Sequence, residues 1–171
     1  MRLVSIDIDD KKNFDAFLMR IEMSFPQKER TDKDTYAKFA TFGGQPYFVL
    51  DGEMTVGVCY AFEKADMAYI FYLAIDEKLR NNGLGSKAIK AIKKHFLDKP
   101  LALSIEDIEG KDANTLRRYK FYTNNGFKSR NLSYMWQGVK LMMLSDESVD
   151  ISEYIDTFGK LFNYSNYTLS R

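Results

Sequence analysis

The chain has 171 residues, of which 45% are apolar and 29% charged, and this composition excludes wholesale disorder and fits one domain with a proper core. Its 25 basic and 24 acidic residues give a formal net charge of +1 at pH 7. This balance shows no excess of positive charge of the kind that binds nucleic acid or an anionic membrane. Cys59 and His95 are the only cysteine and histidine, so we expect neither an internal disulfide, nor a serine–histidine triad, nor a metal site.

The first half of the chain predicts one strand, two helices and three further strands. They are predicted over residues 4–8, 10–23, 32–41, 47–50, 54–62 and 68–75. Phe14, Phe17 and Ile21 recur at helical spacing, and Asp51-Gly52 is a strong signal for a two-residue hairpin. The last of these strands is a nearly continuous apolar run, which is typical of a central strand covered on both faces.

The second half predicts two helices alternating with strands, and then a third helix. These elements are predicted over residues 84–97, 101–106, 113–125, a strand after Phe127, a last strand over 134–144, and a helix over 151–162. The resulting order, β-α-α-β-β-β-α-β-α-β-β, predicts the α/β class, with a central mixed sheet of about six or seven strands flanked by helices.

A basic turn with two glycines, Arg80-Asn81-Asn82-Gly83-Leu84-Gly85, lies between the central strand and the helix after it. Glycines at such a place let the backbone approach a ligand, and the first N–H groups of a helix have no partner within the helix. Backbone donors and the positive end of the helix dipole then favour a phosphate group. The turn is therefore a candidate phosphate site.

A dinucleotide site is the competing interpretation of this turn. Gly83, Gly85 and Ala88 fit the loose Gly-x-Gly-x-x-Gly/Ala fingerprint, and Glu106 stands near its acidic position. That fingerprint needs a tight turn straight out of the strand, whereas residues 76–82 intervene here, and the preceding strands are linked by a hairpin. An NAD-linked oxidoreductase is thus the less favoured prediction, and no Walker P-loop motif occurs in the sequence.

A second motif lies at the end of the next helix, where Phe121-Tyr122 is followed by Gly126-Phe127. Taken alone, it fits ordinary core packing around a glycine that ends a helix. Taken in order with the glycine turn, it resembles the GNAT superfamily of N-acetyltransferases, whose patterns are Arg/Gln-x-x-Gly-x-Gly/Ala and Phe-Tyr-x-x-x-Gly-Phe. The resemblance covers about residues 3–144.

This resemblance implies an enzyme that transfers an acetyl group from acetyl-CoA to a primary amine of a small molecule or peptide, without a metal. It implies that Tyr122 protonates the departing thiolate, and that strand backbone near Leu73 stabilises the oxyanion and pairs with the pantetheine arm. The glycine turn would bind the pyrophosphate. The implied coenzyme-binding residues are Leu73, Ala74, Ile75, Arg80, Gly83, Gly85, Ser86 and Asn114.

Two positions depart from the family pattern. The asparagine that relatives carry seven residues before the tyrosine is Thr115 here, with Asn114 one residue earlier. The glutamate that some relatives carry before the glycine turn is Tyr69 here. Glu106 and Glu22 are the remaining candidates for the general base, and a water chain is the third, so the base stays open.

The resemblance also places the segment between the first two helices beside the acceptor, and here that segment contributes Phe25, Glu29 and Arg30. Aromatic and acidic side chains there suit a cationic amine. A different function class stays open, a non-catalytic acyl-CoA-binding or regulatory protein with the same fold.

Domain organisation and location follow from the extent of these signals. We expect residues 1–145 to form the acetyltransferase domain and residues 146–171 to form a helical extension, which either caps the sheet or mediates a homodimer. No apolar run approaches the length of a membrane span, and the N-terminus lacks the apolar core of a signal peptide. The sequence therefore predicts a cytoplasmic protein with no membrane or nucleic-acid partner.

Overall fold

The computed structural model describes residues 1–97, 99–109, 112–147 and 149–169, and residues 98, 110–111, 148 and 170–171 lie outside this part. The fold comprises two compact units, Met1–Lys99 and Pro100–Arg171. Helices and strands alternate much as the sequence predicts, which confirms the α/β class. The described residues form eight strands, one or two more than predicted.

The first unit is a sheet of four antiparallel strands in the order β1-β2-β3-β4, with three helices. The strands are β1 (Arg2–Ser5), β2 (Gly44–Asp51), β3 (Met54–Glu63) and β4 (Ala68–Ile75), and the helices are α1 (Lys11–Ser24), α2 (Lys33–Ala40) and α3 (Leu84–His95). Asp10 and Asp32 cap α1 and α2 by accepting backbone N–H bonds from Asn13 and Thr35. The predicted Asp51-Gly52 hairpin joins β2 to β3, with Gly52 at a positive φ of 61°.

Aromatic side chains form the core between α1, α2 and the sheet of this unit. We call the aromatic cluster the set Phe14, Phe17, Tyr36, Phe39, Tyr60, Phe62 and Phe71. The rings of Tyr36 and Tyr60 lie 5.1 Å apart and both side chains are fully buried. The other face of the sheet carries Tyr47, which pairs with Cys59 and contacts the Phe96 ring at the end of α3. Cys59 is buried, as expected of a small core residue.

The second unit is a sheet of antiparallel strands in the order β5-β7-β6-β8, with α4 packed against β5. These elements are β5 (Leu101–Glu106), α4 (Ala113–Asn124), β6 (Lys128–Trp136), β7 (Val139–Ser145) and β8 (Ser165–Leu169). The prediction of a single last strand over residues 134–144 is wrong. Gln137 and Gly138, both at positive φ, form a two-residue hairpin turn that divides this stretch between β6 and β7.

The C-terminal segment packs on the sheet of its own unit. Its helical part runs through α5 (Ile151–Tyr154), a π-helical turn (Ile155–Gly159) and α6 (Lys160–Phe162), and β8 then pairs with β6. The Tyr154 hydroxyl lies 2.8 Å from that of Tyr134 on β6 and 3.1 Å from Ser104 Oγ on β5. The Tyr164 ring stacks on Tyr134 at 3.9 Å. The helix is as predicted, but the strand after it is not.

Candidate functional site

The glycine turn in the first unit leaves the start of α3 without a side-chain cap. The chain passes from β4 through one 3₁₀ turn, Glu77–Leu79, and Arg80 Nε donates to the Ile75 carbonyl at 2.9 Å, which folds the turn back on the strand. Gly83 is the residue before α3, has a φ of +72°, and carries no side chain to accept the first N–H groups. Leu84, Gly85 and Ser86 form the first turn of α3.

This geometry fits a phosphate group. A Cβ added at Gly83 would meet no atom within 4 Å, so the approach to the turn is open among the described residues. The Arg80 side chain is exposed beside it. Backbone donors, the helix dipole and a guanidinium group all favour an anion, so the turn stays a candidate phosphate site.

The strand before the turn, β4, contains an irregularity that the sequence does not indicate. Tyr60 of β3 pairs with Tyr72 and Ala61 pairs with Ile70, so Phe71 is an extra residue in the ladder, a β-bulge. Beyond the bulge, Leu73, Ala74 and Ile75 pair regularly with Cys59, Val58 and Gly57. The run 68–75 is apolar throughout, so its pattern contains no signal for the bulge.

The segment between α1 and α2 is attached to β4 through Tyr72. The Tyr72 hydroxyl donates to the Glu29 carbonyl at 2.6 Å and accepts from the Thr31 N–H at 3.0 Å, and its ring lies 4.7 Å from the Phe25 ring. Burial raises the pKa of Tyr72 to about 12, and the bonds from Thr31 oppose part of that rise. Sequence reasoning missed Tyr72 because its partners lie more than forty residues earlier.

Tyr122 lies in the last turn of α4 in the second unit and is half-buried. The helix ends with the Phe127 N–H donating to the Tyr122 carbonyl at 3.1 Å, and Gly126 supplies the positive φ, +91°, that this termination requires. Phe127 is thereby buried with its ring 5.6 Å from that of Tyr122, and the Phe121 ring lies 5.0 Å from the same tyrosine ring. The Phe-Tyr-x-x-x-Gly-Phe motif is thus a helix end that fixes the tyrosine ring.

Glu106, a candidate base, is tied to α4. Its carboxylate accepts from Thr115 Oγ1 at 3.1 Å and forms an ion pair with the Arg118 guanidinium, and 22% of its side chain is exposed. Thr115 is buried, whereas Asn114, the predicted coenzyme contact, is exposed in the first turn of α4. Their N–H groups both bond to Asp112, which lowers the pKa of that capping carboxyl. No local sequence pattern predicts the contact of Glu106 with Thr115 or with Arg118.

Glu22, the other candidate base, is exposed in the last turn of α1. Glu22, the β4 strand and the glycine turn belong to the first unit, and Glu106, Asn114 and Tyr122 belong to the second. In the first unit, Arg80 is hydrogen-bonded to the Ile75 carbonyl. In the second unit, Glu106 is hydrogen-bonded to Thr115 and ion-paired with Arg118.

The described residues contain neither a metal-binding cluster nor a membrane-spanning helix. In these residues no three histidine, cysteine, aspartate or glutamate side chains gather as a metal-binding group. None of the helices in the same residues has the length and apolar character needed to cross a membrane.

Comparison with known proteins decides the family. A family model described as the acetyltransferase (GNAT) family matches residues 16–127, more than half of the chain. The chain belongs to this family. Among named relatives, the GNAT protein described here is similar to YjbC of Bacillus subtilis (strain 168), which is named as an acetyltransferase. The two are 35% identical over 60 residues, which are 35% of this chain and only 30% of that protein.

Solved structures confirm the GNAT-like fold. A GNAT-family protein from Bacteroides thetaiotaomicron, named as an acetyltransferase, superposes with a TM-score of 0.79 at 19% identity, covering 97% of this chain and 99% of that one. A GNAT family acetyltransferase from Elizabethkingia anophelis, solved with acetyl-CoA bound, gives a TM-score of 0.58 at 16% identity. That match covers 85% of this chain and 97% of the other.

Proposed function

We propose that this GNAT protein transfers an acetyl group from acetyl-CoA to a primary amine of a small molecule or peptide. The observation that carries the proposal is the start of α3. Gly83, at φ +72°, provides no side-chain cap, so the first N–H groups of the helix are available to donate to a ligand. Family membership and the acetyl-CoA bound to the Elizabethkingia anophelis relative support the choice of donor.

The residues of the first unit would hold the coenzyme. The N–H groups at Gly83, Gly85 and Ser86 would bind its pyrophosphate, with added charge from Arg80, while Asn114 of the second unit stays a predicted contact. Regular pairing with β3 keeps Leu73 to Ile75 extended, and the backbone groups on the opposite edge of this stretch would pair with the pantetheine arm. Leu73 and Ile75 are half-buried on this stretch of the strand.

Bound acetyl-CoA supplies an activated acetyl carbonyl, and the transfer exchanges its C–S bond for a C–N bond, giving an amide and a free thiol. The Tyr122 phenol would donate its proton to the departing sulfur, a task that suits a group protonated near neutral pH. The proton that the amine loses would pass to Glu22, Glu106 or water. Glu106 already accepts from Thr115 and Arg118, so its structural task competes with that role.

A second candidate function is acyl-CoA binding without transfer. Tyr69, which occupies the position where some relatives carry a glutamate, is buried with its ring 6.4 Å from that of Phe62. A carboxylate is therefore absent at this position. A homodimer, a cytoplasmic location and the absence of nucleic-acid and membrane partners remain predictions.

Two measurements on the purified chain test the proposal. Calorimetry with acetyl-CoA and with NADH identifies the ligand, and release of free thiol from acetyl-CoA is then followed over a panel of small amines and peptides. We expect acetyl-CoA to bind, NADH not to bind, and at least one amine to accelerate thiol release. Binding without turnover on any amine would favour the second candidate, and binding of NADH alone would overturn both.

A further inference from the structure

The segment between α1 and α2, residues 25–31, is closed on itself by short-range hydrogen bonds. Arg30 Nε donates to the Phe25 carbonyl at 2.8 Å, and the N–H groups of Glu29 and Arg30 donate to the carbonyls of Pro26 and Gln27. These bonds shape the segment locally, because every donor and acceptor in them lies within it. We call residues 25–31 the acceptor segment.

The Tyr72 hydroxyl attaches the acceptor segment to β4. A carbonyl oxygen can only accept, so the hydroxyl donates its proton to Glu29 O, 2.6 Å away, and uses a lone pair to accept from the Thr31 N–H at 3.0 Å. Thr31 Oγ1 lies 3.2 Å from the same oxygen. One buried hydroxyl thus holds two backbone groups of the segment, while the Phe25 ring packs on the Tyr72 ring.

The β-bulge explains how Tyr72 reaches the segment. Phe71 and Tyr72 are consecutive, yet the Phe71 ring packs against Phe39 of α2 at 5.5 Å and the Tyr72 ring packs against Phe25 at 4.7 Å. Consecutive residues of a regular strand point to opposite faces, so both reach the helix side only because the bulge interrupts the alternation. The next residue, Leu73, begins the regular stretch of β4.

We propose that Tyr72 is a positioning residue that fixes the acceptor segment on β4 and thereby sets the selectivity of the enzyme among amines. This inference rests on the proposed function, because it takes residues 25–31 to line the acceptor site. Leu73, the next residue along the chain, keeps its regular pairing with Cys59, so we expect loss of the anchor to act on the acceptor segment and to leave the coenzyme-binding stretch of β4 in place. The raised pKa of Tyr72 keeps its hydroxyl protonated over the ordinary assay range, so the anchor does not depend on pH there.

The first test measures the anchor itself, with no need for activity. In Tyr72→Phe, we expect the Thr31 amide to exchange with solvent deuterium about tenfold faster, since its acceptor is gone. Trypsin should also cut faster after Lys28 and Arg30. Tyr36→Phe is the matched control: its hydroxyl is buried in the aromatic cluster without a hydrogen-bond partner among the described residues, so its loss should leave Thr31 unchanged.

The second test measures selectivity. In Tyr72→Phe, we expect the KM for the preferred amine to rise about tenfold. The kcat/KM value of the preferred amine should become more similar to those of the other amines. The affinity for acetyl-CoA should stay that of the wild type. Unchanged exchange at Thr31 would overturn the anchor, and faster exchange with unchanged KM values and ratios would overturn the selectivity role. A wild type that binds acetyl-CoA but acetylates no amine overturns the proposed function and the selectivity role together, while the exchange data still decide the anchor.

Discussion

Tyr122 owes its fixed orientation to the way its helix ends. Gly126 allows the chain to turn back, and the Phe127 N–H then bonds to the Tyr122 carbonyl while the Phe127 ring packs against the tyrosine ring. Ring packing and the backbone bond hold the helix end, and the proposed mechanism uses the Tyr122 hydroxyl as the proton donor. Removing that hydroxyl tests this role.

Tyr122→Phe should lower kcat by about 10²-fold or more, because a general acid contributes on that scale. The affinity for acetyl-CoA should not change, since the ring contacts with Phe121 and Phe127 remain. Steady-state kinetics and calorimetry measure the two effects, with Tyr119→Phe on the same helix as the control. Wild-type turnover in the Tyr122 variant would remove the general-acid role.

The glycine turn makes a second prediction at the level of single residues. Gly83→Ala should lower the free energy of unfolding by about 1 kcal/mol, because alanine is strained at φ +72° while its Cβ meets nothing. Gly52→Ala, at φ +61° in the β2–β3 hairpin, has the same strain and the same open surroundings. Urea unfolding should show similar losses in both variants, but only Gly83→Ala should weaken acetyl-CoA binding. Equal affinity in both variants would contradict the phosphate site.

The element that organises the first unit is the β3–β4 pair, where Gly57 allows a close approach. A Cβ added there would lie 2.1 Å from the Ala74 carbonyl oxygen, and this backbone atom cannot rotate away. Gly57→Ala should therefore lower the free energy of unfolding by more than Gly52→Ala does, by about 2–3 kcal/mol, the upper part of the usual range for overpacking. Urea unfolding tests this, and a loss no larger than that of Gly52→Ala would show that the strands separate easily.

Periodicity and turn chemistry predicted the elements that rest on local signals. The Asp51-Gly52 hairpin and the main helices all follow from residues close in sequence. The β6–β7 hairpin was missed because Gln137 is an unusual residue for a positive φ, here 48°. Strand β8 was missed because it is polar and exposed, and its pairing with β6 is a tertiary contact that no local pattern predicts.

The candidate site was predictable in part for the same reason. The glycine turn and the Phe-Tyr-x-x-x-Gly-Phe motif act through backbone geometry that sequence spacing encodes. The Tyr72 anchor and the hydrogen bond from Thr115 to Glu106 are tertiary contacts, which no local sequence pattern predicts. Choosing between Asn114 and Thr115 as the inward residue likewise required the register of α4 against β5.

At the scale of the whole molecule, the division into an acetyltransferase domain (1–145) and an extension (146–171) remains a proposal. The contacts of Tyr154 with Tyr134 and Ser104 tie the C-terminal segment to the sheet of the second unit. These are buried hydroxyl contacts, and each would cost free energy if it were left unpaired. The extension thus contributes to the core of its unit.

Buried acids predict how the stability of the protein depends on pH. Burial raises the pKa of the Cys59 thiol above its ordinary 9.0, and those of the Tyr36, Tyr47 and Tyr60 phenols above 10.0. Below about pH 8 these groups are protonated in both states and contribute no pH dependence. Above it, the unfolded chain loses protons that the folded chain keeps, so the free energy of unfolding falls as pH rises.

Urea unfolding between pH 8 and pH 11, values that bracket the ordinary titration range of these groups, measures this fall. Each group contributes up to about 1.4 kcal/mol per pH unit once its unfolded form has titrated. Tyr36→Phe removes one phenol and should make the decline shallower above pH 10, the ordinary pKa of that group. A free energy of unfolding that stays level through this range would contradict the burial of these acids.

The central claim is that this GNAT protein transfers acetyl groups, and product stoichiometry tests it most directly. The wild-type chain is incubated with acetyl-CoA and the amine that best accelerates thiol release, and both free thiol and acetylated amine are quantified by mass spectrometry. The proposed function predicts one acetylated amine for every thiol released, with both rates lowered together in Tyr122→Phe. Thiol release without acetylated amine, or acetyl-CoA binding without either product, would contradict it.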